Sequence, residues 1–185
     1  MAKEKEIIYG LADITIGEGE DAIKFDGKDY LQAEGGELSL TPQFEDITVE
    51  DFGEVPIEKR LTGWEGELTV VAAQEDADIL ELALGATEKV EGAEGEEAGS
   101  MDARIGTKLK GRKVVIHPRM LPADDKSQDI TVYNMASTEG LTRSYANEQG
   151  NVSLTLSMMP RDGFDASKPG NFYFRGSKDP NAVTP

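Results

Sequence analysis

The chain has no cysteine in its 185 residues. This rules out a disulfide framework and thiolate metal sites, and fits synthesis inside a cell. Histidine is almost missing as well. His117 stands alone, which argues against the multi-ligand sites that hold zinc. Long apolar runs are absent: no stretch approaches the roughly 20 residues of a membrane-spanning helix. The opening MAKEKEIIYG carries charges where a signal peptide needs an apolar run. Cations are scarce, with 19 Lys plus Arg against 36 Asp plus Glu and a net charge of −17. Phosphate backbones are gripped mainly by cationic side chains. Such acidity therefore reads as a solvated surface, or as one past which a polyanion moves without sticking.

What is present is alternation. A chain of 185 residues suggests one domain that buries roughly 70% of its unfolded surface. In GELSLT, Leu38 and Leu40 share one side, with Glu37, Ser39 and Thr41 on the other. In GWEGELTVV, Trp64, Gly66, Leu68 and Val70 share one side, with Glu65, Glu67, Thr69 and Val71 opposite. A period of two marks a strand with one buried face. Residues 43–62 between these runs are too many for a tight turn and too rich in Ile, Val, Phe and Leu for a plain solvated loop. They read as a segment that needs a partner. Val55 precedes Pro56 and is held extended.

Further strands are expected at ADITIG, RKVVIHP, DITVYNMA and NVSLTLSMMP, with a hairpin around Asp26-Gly27. EDADILELALG is the single helix, expected over 76–84: acids open it, Ile79, Leu80, Ala83 and Leu84 form its stripe, and Gly85 stops it. The predicted map is an N-terminal arm at 1–10 and a β domain at 11–160. That domain holds the helix and an acidic loop at 86–107, and a C-terminal arm at 161–185 follows, anchored by NFYF. The fold class is mainly β: a sandwich or barrel of about seven or eight strands with one short flanking helix.

No constellation supports catalysis, so the chain reads as a non-enzyme without cofactor or metal. Gly17-Glu18-Gly19-Glu20-Asp21-Ala22 matches a loose dinucleotide pattern, but a strand follows it where a helix is needed, and its acids repel phosphate. His117 before Pro118 reads as a strand-end structural residue. The acids of 88–97 lack the spacing of a calcium loop. Lys108, Lys110, Arg112 and Lys113 form a basic cluster suited to pairing with acids of the same or a neighbouring subunit. Asn151-Val152-Ser153 is a glycosylation pattern inside an expected strand.

The order of features from Gly35 to Gly85 resembles the major tail tube proteins of long-tailed bacteriophages, especially the non-contractile (siphovirus-like) type. Gly35-Gly36 opens a short alternating strand ending at Pro42. An acidic segment leads to Asp51-Phe52-Gly53. Lys59-Arg60 precedes Gly63-Trp64-Glu65-Gly66 and a long strand, and a short helix follows at once. The general layout extends over residues 10–160.

The resemblance implies a virion structural protein. Six copies would close a ring around a continuous β-barrel lumen, and rings would stack into a tube that conducts DNA without specific binding. Tail tip or baseplate, tape measure and tail terminator proteins would be its partners, with assembly in the host bacterial cytoplasm and residence in the virion tail. The lumen-facing positions would be Glu37, Ser39, Thr41, Glu65, Glu67 and Thr69. Ring stacking would fall to Phe44, Glu45, Asp46, Ile47, Val49, Glu50, Asp51, Phe52, Val55, Lys59 and Arg60. The alternatives are an acidic β-domain that binds another protein, as adaptor or DNA mimic, and a tube protein of a phage-derived secretion system.

Overall fold

The computed structural model describes residues 7–93, 97–143, 145, 147 and 149–181. Ten strands and one α-helix follow in the order β1 (Ala12–Ile16), β2 (Ile23–Phe25), β3 (Gln32–Ile47), β4 (Glu58–Ala72), α1 (Ala77–Leu84), β5 (Thr87–Glu91), β6 (Glu97–Asp102), β7 (Arg112–Pro118), β8 (Ile130–Ser137), β9 (Val152–Met158) and β10 (Tyr173–Arg175). Eight of these strands form one antiparallel sheet in the order β2-β1-β7-β8-β9-β4-β3, with β10 also on β8; β5 and β6 make a separate hairpin. The protein is mainly β with one short helix, as the alternation indicates.

Alternation places the core. Ile14 and Ile16 of β1, Leu68, Val70 and Ala72 of β4, and Val152, Leu154 and Leu156 of β9 are all buried. They join Phe25, Val114, Val132 and Met135 in one cluster. Each of the larger of these side chains contributes about 1.5–3 kcal/mol by leaving water. The sheet curls, so that the start of β3 lies on β1 although the two do not pair. The Gln32 amide donates to the carbonyls of Ala12 (2.8 Å) and Phe25 (3.0 Å). Gly36 passes so close to Ile14 that a Cβ there would overlap the Ile14 Cδ1.

The helix begins one residue later than the acids suggest because Asp76 is its cap. Asp76 Oδ1 accepts from the Ile79 N–H at 2.9 Å, and Oδ2 accepts from the Tyr30 hydroxyl at 2.6 Å. The adjacent Asp76 carboxylate pushes the Tyr30 hydroxyl well above its ordinary pKa. Gly85, at φ 67°, ends the helix. Ile79, Leu82 and Ala83 are buried, and α1 lies against β8 and β9.

Four expectations need correction. Residues 43–62 are not an irregular excursion: the β3–β4 ladder continues to Ile47 opposite Glu58, and only 48–57 form the connection. Both faces of this distal ladder meet water, so no apolar alternation betrays it. The expected acidic loop at 86–107 contains the β5–β6 ladder, Thr87 opposite Asp102 through Val90 opposite Gly99. This hairpin rests on backbone pairing rather than an apolar face, and Lys89 ties it to Glu81 of α1 at 3.7 Å.

The expected C-terminal arm at 161–185 places Tyr173–Arg175 in the sheet, opposite Ile130–Val132. Residues 182–185, like residues 1–6 of the N-terminal arm, lie outside the described residues. The Asp26-Gly27 turn exists, but β2 pairs with β1, Ile14 opposite Phe25, and not with β3. Asp26 accepts from the backbone N–H groups of Lys28 (2.8 Å) and Asp29 (2.9 Å). These bonds hold its carboxyl below the usual range.

Candidate functional site: the long hairpin

β3 and β4 divide into two halves at the point where β9 stops. β9 pairs with β4 only over Glu67–Ala72. Among the described residues the nine residues Glu58–Gly66 therefore have β3 as their sole neighbour in the sheet. At about 3.3 Å per residue this part extends roughly 30 Å. The outer edge of β3 pairs with no strand among the described residues.

In the proximal half the six expected lumen positions come together in three directly opposed pairs: Glu37 with Thr69, Ser39 with Glu67, and Thr41 with Glu65. All but Thr69 are exposed. The same face continues onto β9, where Ser157 stands opposite Glu67 and Thr155 opposite Thr69. Gln43 joins it by donating to Glu65 at 2.8 Å. Among the described residues the result is a band of carboxylates and hydroxyls with the Gln43 amide and without a cation. Such a band holds water and repels phosphate. Sequence reading omitted Ser157 and Thr155, whose alternation in β9 carries the same signal. The opposite face of these strands is core, and Gly66 makes room there for Met158, which lies within 3 Å of where a Cβ would stand.

In the distal half Phe44 faces Leu61, Glu45 faces Arg60, Asp46 faces Lys59 and Ile47 faces Glu58. Lys59 bonds Asp46 at 2.6 Å and Arg60 bonds Glu58 at 2.8 Å. These pairs are exposed, so each contributes at most about 1 kcal/mol; Lys59–Asp46 crosses between the strands and helps hold register, whereas Arg60 and Glu58 both lie on β4. The tip turns through a short 3-10 turn at Glu50–Phe52, closed by Gly53 at φ 68°. The Ile57 N–H donates to the Ile47 carbonyl at 2.9 Å.

Phe44, Phe52, Val55, Ile57 and Leu61 are 56, 69, 66, 53 and 51% exposed. A run of large apolar side chains held in water on one projecting element marks a contact surface. The expected stacking residues Phe44, Glu45, Asp46, Ile47, Val49, Glu50, Asp51, Phe52, Val55, Lys59 and Arg60 all fall on this half or its tip. Ile57 and Leu61 were missed, although they belong to the same apolar run.

At the root of the hairpin, Trp64 meets Tyr173 of β10 edge to face, with ring centroids 5.2 Å apart. Between Leu61–Trp64 and the segment 160–181 lies an open groove of about 1040 Å³. It is lined mainly by aromatic and aliphatic side chains, with Lys168 and Arg175 at its wall.

The remaining sequence candidates lie on other elements. His117 Nδ1 lies 2.5 Å from Asp129 Oδ1, and Nε2 lies 3.4 Å from the Leu121 carbonyl. Both ring nitrogens are occupied, and among the described residues no hydroxyl bonds either of them. The buried Asp129 raises the His117 pKa above its ordinary value. The Gly17–Ala22 loop leads through a single 3-10 turn at Gly19–Asp21 into β2, and Glu18 pairs with Lys113 at 2.9 Å. Among the described residues no group of three or more His, Asp or Glu is placed to hold a metal ion, and no helix is long and apolar enough to cross a membrane. Compared with protein-family models and with curated proteins, the chain matches none.

Proposed function

We propose that this chain is a self-assembling structural subunit of a DNA-conducting tube, of the kind its sequence resembles in bacteriophage tails. One observation carries the reading: a single hairpin has two differently built halves. The proximal half sets Glu, Ser and Thr in opposed pairs on one face. The distal half projects beyond the sheet with exposed Phe, Val, Ile and Leu. A subunit needs both kinds of surface to line a channel and to grip its neighbours.

The unpaired edge of β3 supports the same reading. A 16-residue edge strand left open is an aggregation hazard, and pairing across subunits in a closed ring removes it. Acid charge along the channel face lets a phosphate backbone slide past without binding. An acidic DNA mimic would present paired acids to a basic partner; it has no use for five large apolar side chains on a projecting hairpin.

The test is negative-stain electron microscopy of the purified protein over rising concentration, with a tail-tip seed added in parallel. Rings or tubes are the expected result. A protein that stays monomeric throughout overturns the reading.

A further inference from the structure

The groove at the hairpin root has no occupant within the described chain. We propose that it receives the hairpin tip, residues 48–57, of a second copy. This rests on the self-assembly reading and names the receiving site.

Chemistry pairs the two surfaces. The tip carries Phe52 and Val55, 69 and 66% exposed, among Glu50, Asp51 and Glu54. The groove offers Trp64, Phe164 and Tyr173, with Lys168 and Arg175 beside them. In a chain with 36 acids and 19 bases, two cations beside an apolar groove are a complement to an acidic apolar tip. Among the described residues Lys168 pairs with its neighbour Asp165 at 3.3 Å, and Arg175 rests on the neutral Gln128. Neither cation is committed to an acid across the groove.

Geometry selects a second copy over the same chain. The groove begins at Leu61, three residues along the ladder from Glu58, and runs to Trp64, so about 10–20 Å of paired strand separates it from the tip. That ladder is registered to Ile47 and Glu58, so the tip does not fold back onto its own root. Contact between the tip of one copy and the root of the next joins two different surfaces. Such a heterologous interface closes into a ring or propagates as a stack according to the rotation between copies, and the inference takes the second. The tip is also ordered beforehand by its 3-10 turn and the Ile57–Ile47 bond, which lowers the entropy lost on docking.

The absence of cysteine makes cross-linking a clean test. Phe52→Cys and Phe164→Cys are made in separate full-length chains, mixed, and oxidised mildly. Phe52→Cys with Ser100→Cys on β6 is the control. Microscopy of each mixture records assembly independently. The inference predicts an intermolecular Phe52→Cys/Phe164→Cys link at least about tenfold above the control, because docking raises the local concentration of the pair. It also predicts a loss of about tenfold when Lys168→Glu and Arg175→Glu are added, with recovery when the partner carries Glu50→Lys and Glu54→Lys.

Tubes without that link overturn the groove assignment and leave self-assembly standing. No assembly and no link overturns both. A link that appears only when the chain is ended at Asn181 assigns the groove to the chain's own last residues and overturns the proposal.

Discussion

Trp64 of β4 and Tyr173 of β10 stand edge to face at 5.2 Å, with ring planes 73° apart. This contact joins the C-terminal segment to the root of the hairpin, and the chain holds one tryptophan. Trp64→Ala is expected to cost about 2 kcal/mol, less than a fully buried aromatic, and to lower Tm by about 4–8 °C. Calorimetry measures the shift. In the native protein, tryptophan fluorescence reports on the root alone, so Tyr173→Leu is expected to change the emission while the far-ultraviolet circular dichroism stays constant.

The crossing of β3 over β1 depends on Gly36. Its absent side chain is what Ile14 Cδ1 requires. Gly36→Ala is expected to cost about 1–2 kcal/mol by overpacking. Ile14→Val removes the obstructing methyl, so the double variant is expected to be more stable than the sum of the single effects. Urea denaturation of the four proteins measures the coupling. Additive effects would show that β3 does not lie on β1 at this point.

His117 and Asp129 make stability depend on pH. Asp129 raises the folded-state His117 pKa above its ordinary 6.5. The stabilisation is therefore complete below about pH 6.5 and is lost as pH rises through the raised value. The gap between wild type and His117→Gln is expected to be about 1–2 kcal/mol near pH 5.5 and to shrink by pH 8.5. Urea denaturation at the two pH values measures it. His117 is the single histidine, so its imidazole proton signal gives the folded pKa directly. Asp129→Asn is expected to bring that pKa down.

The acidic face makes a prediction about DNA. Wild-type protein is expected not to bind duplex DNA at 50 mM salt. Glu37→Lys, Glu65→Lys and Glu67→Lys together reverse the proximal band without touching the core face. The triple variant is expected to bind, with affinity falling roughly 40-fold between 50 and 200 mM salt if three phosphates are neutralised. Fluorescence anisotropy with a labelled duplex reads both. Salt-sensitive binding by the wild type would contradict the channel reading.

The sequence announces structure where one face of a strand is buried and the other is wet. That holds for Leu38–Leu40, Leu68–Val70 and Val152–Leu156, and these runs identify β4, β9 and the middle of β3. It fails where both faces meet the same medium. Phe44–Asp46 and Glu58–Leu61 are exposed on both sides, so their ladder is set by backbone pairing and the Lys59–Asp46 pair, which leave no apolar period. The β5–β6 hairpin is silent for the same reason. β10 has three residues, too few for any period. Asp26-Gly27 signals a turn correctly, but a turn does not say which strand becomes the partner, and Phe25 goes to Ile14. The proximal face was legible because Glu37, Ser39, Thr41, Glu65, Glu67 and Thr69 occupy the alternate positions that pairing then aligns. The groove was not, because it joins Trp64 to residues about a hundred positions away.

The central claim is that the distal hairpin drives assembly and the rest of the domain does not need it. Glu45 stands opposite Arg60, so replacing residues 46–59 by Asn-Gly closes the ladder with a two-residue turn. Sedimentation velocity of this variant beside the wild type is the direct measurement. The account predicts a folded variant that no longer forms stacks, beside a wild type that sediments as large assemblies. A variant that still stacks, or one that unfolds because the distal ladder belongs to the core, would contradict it.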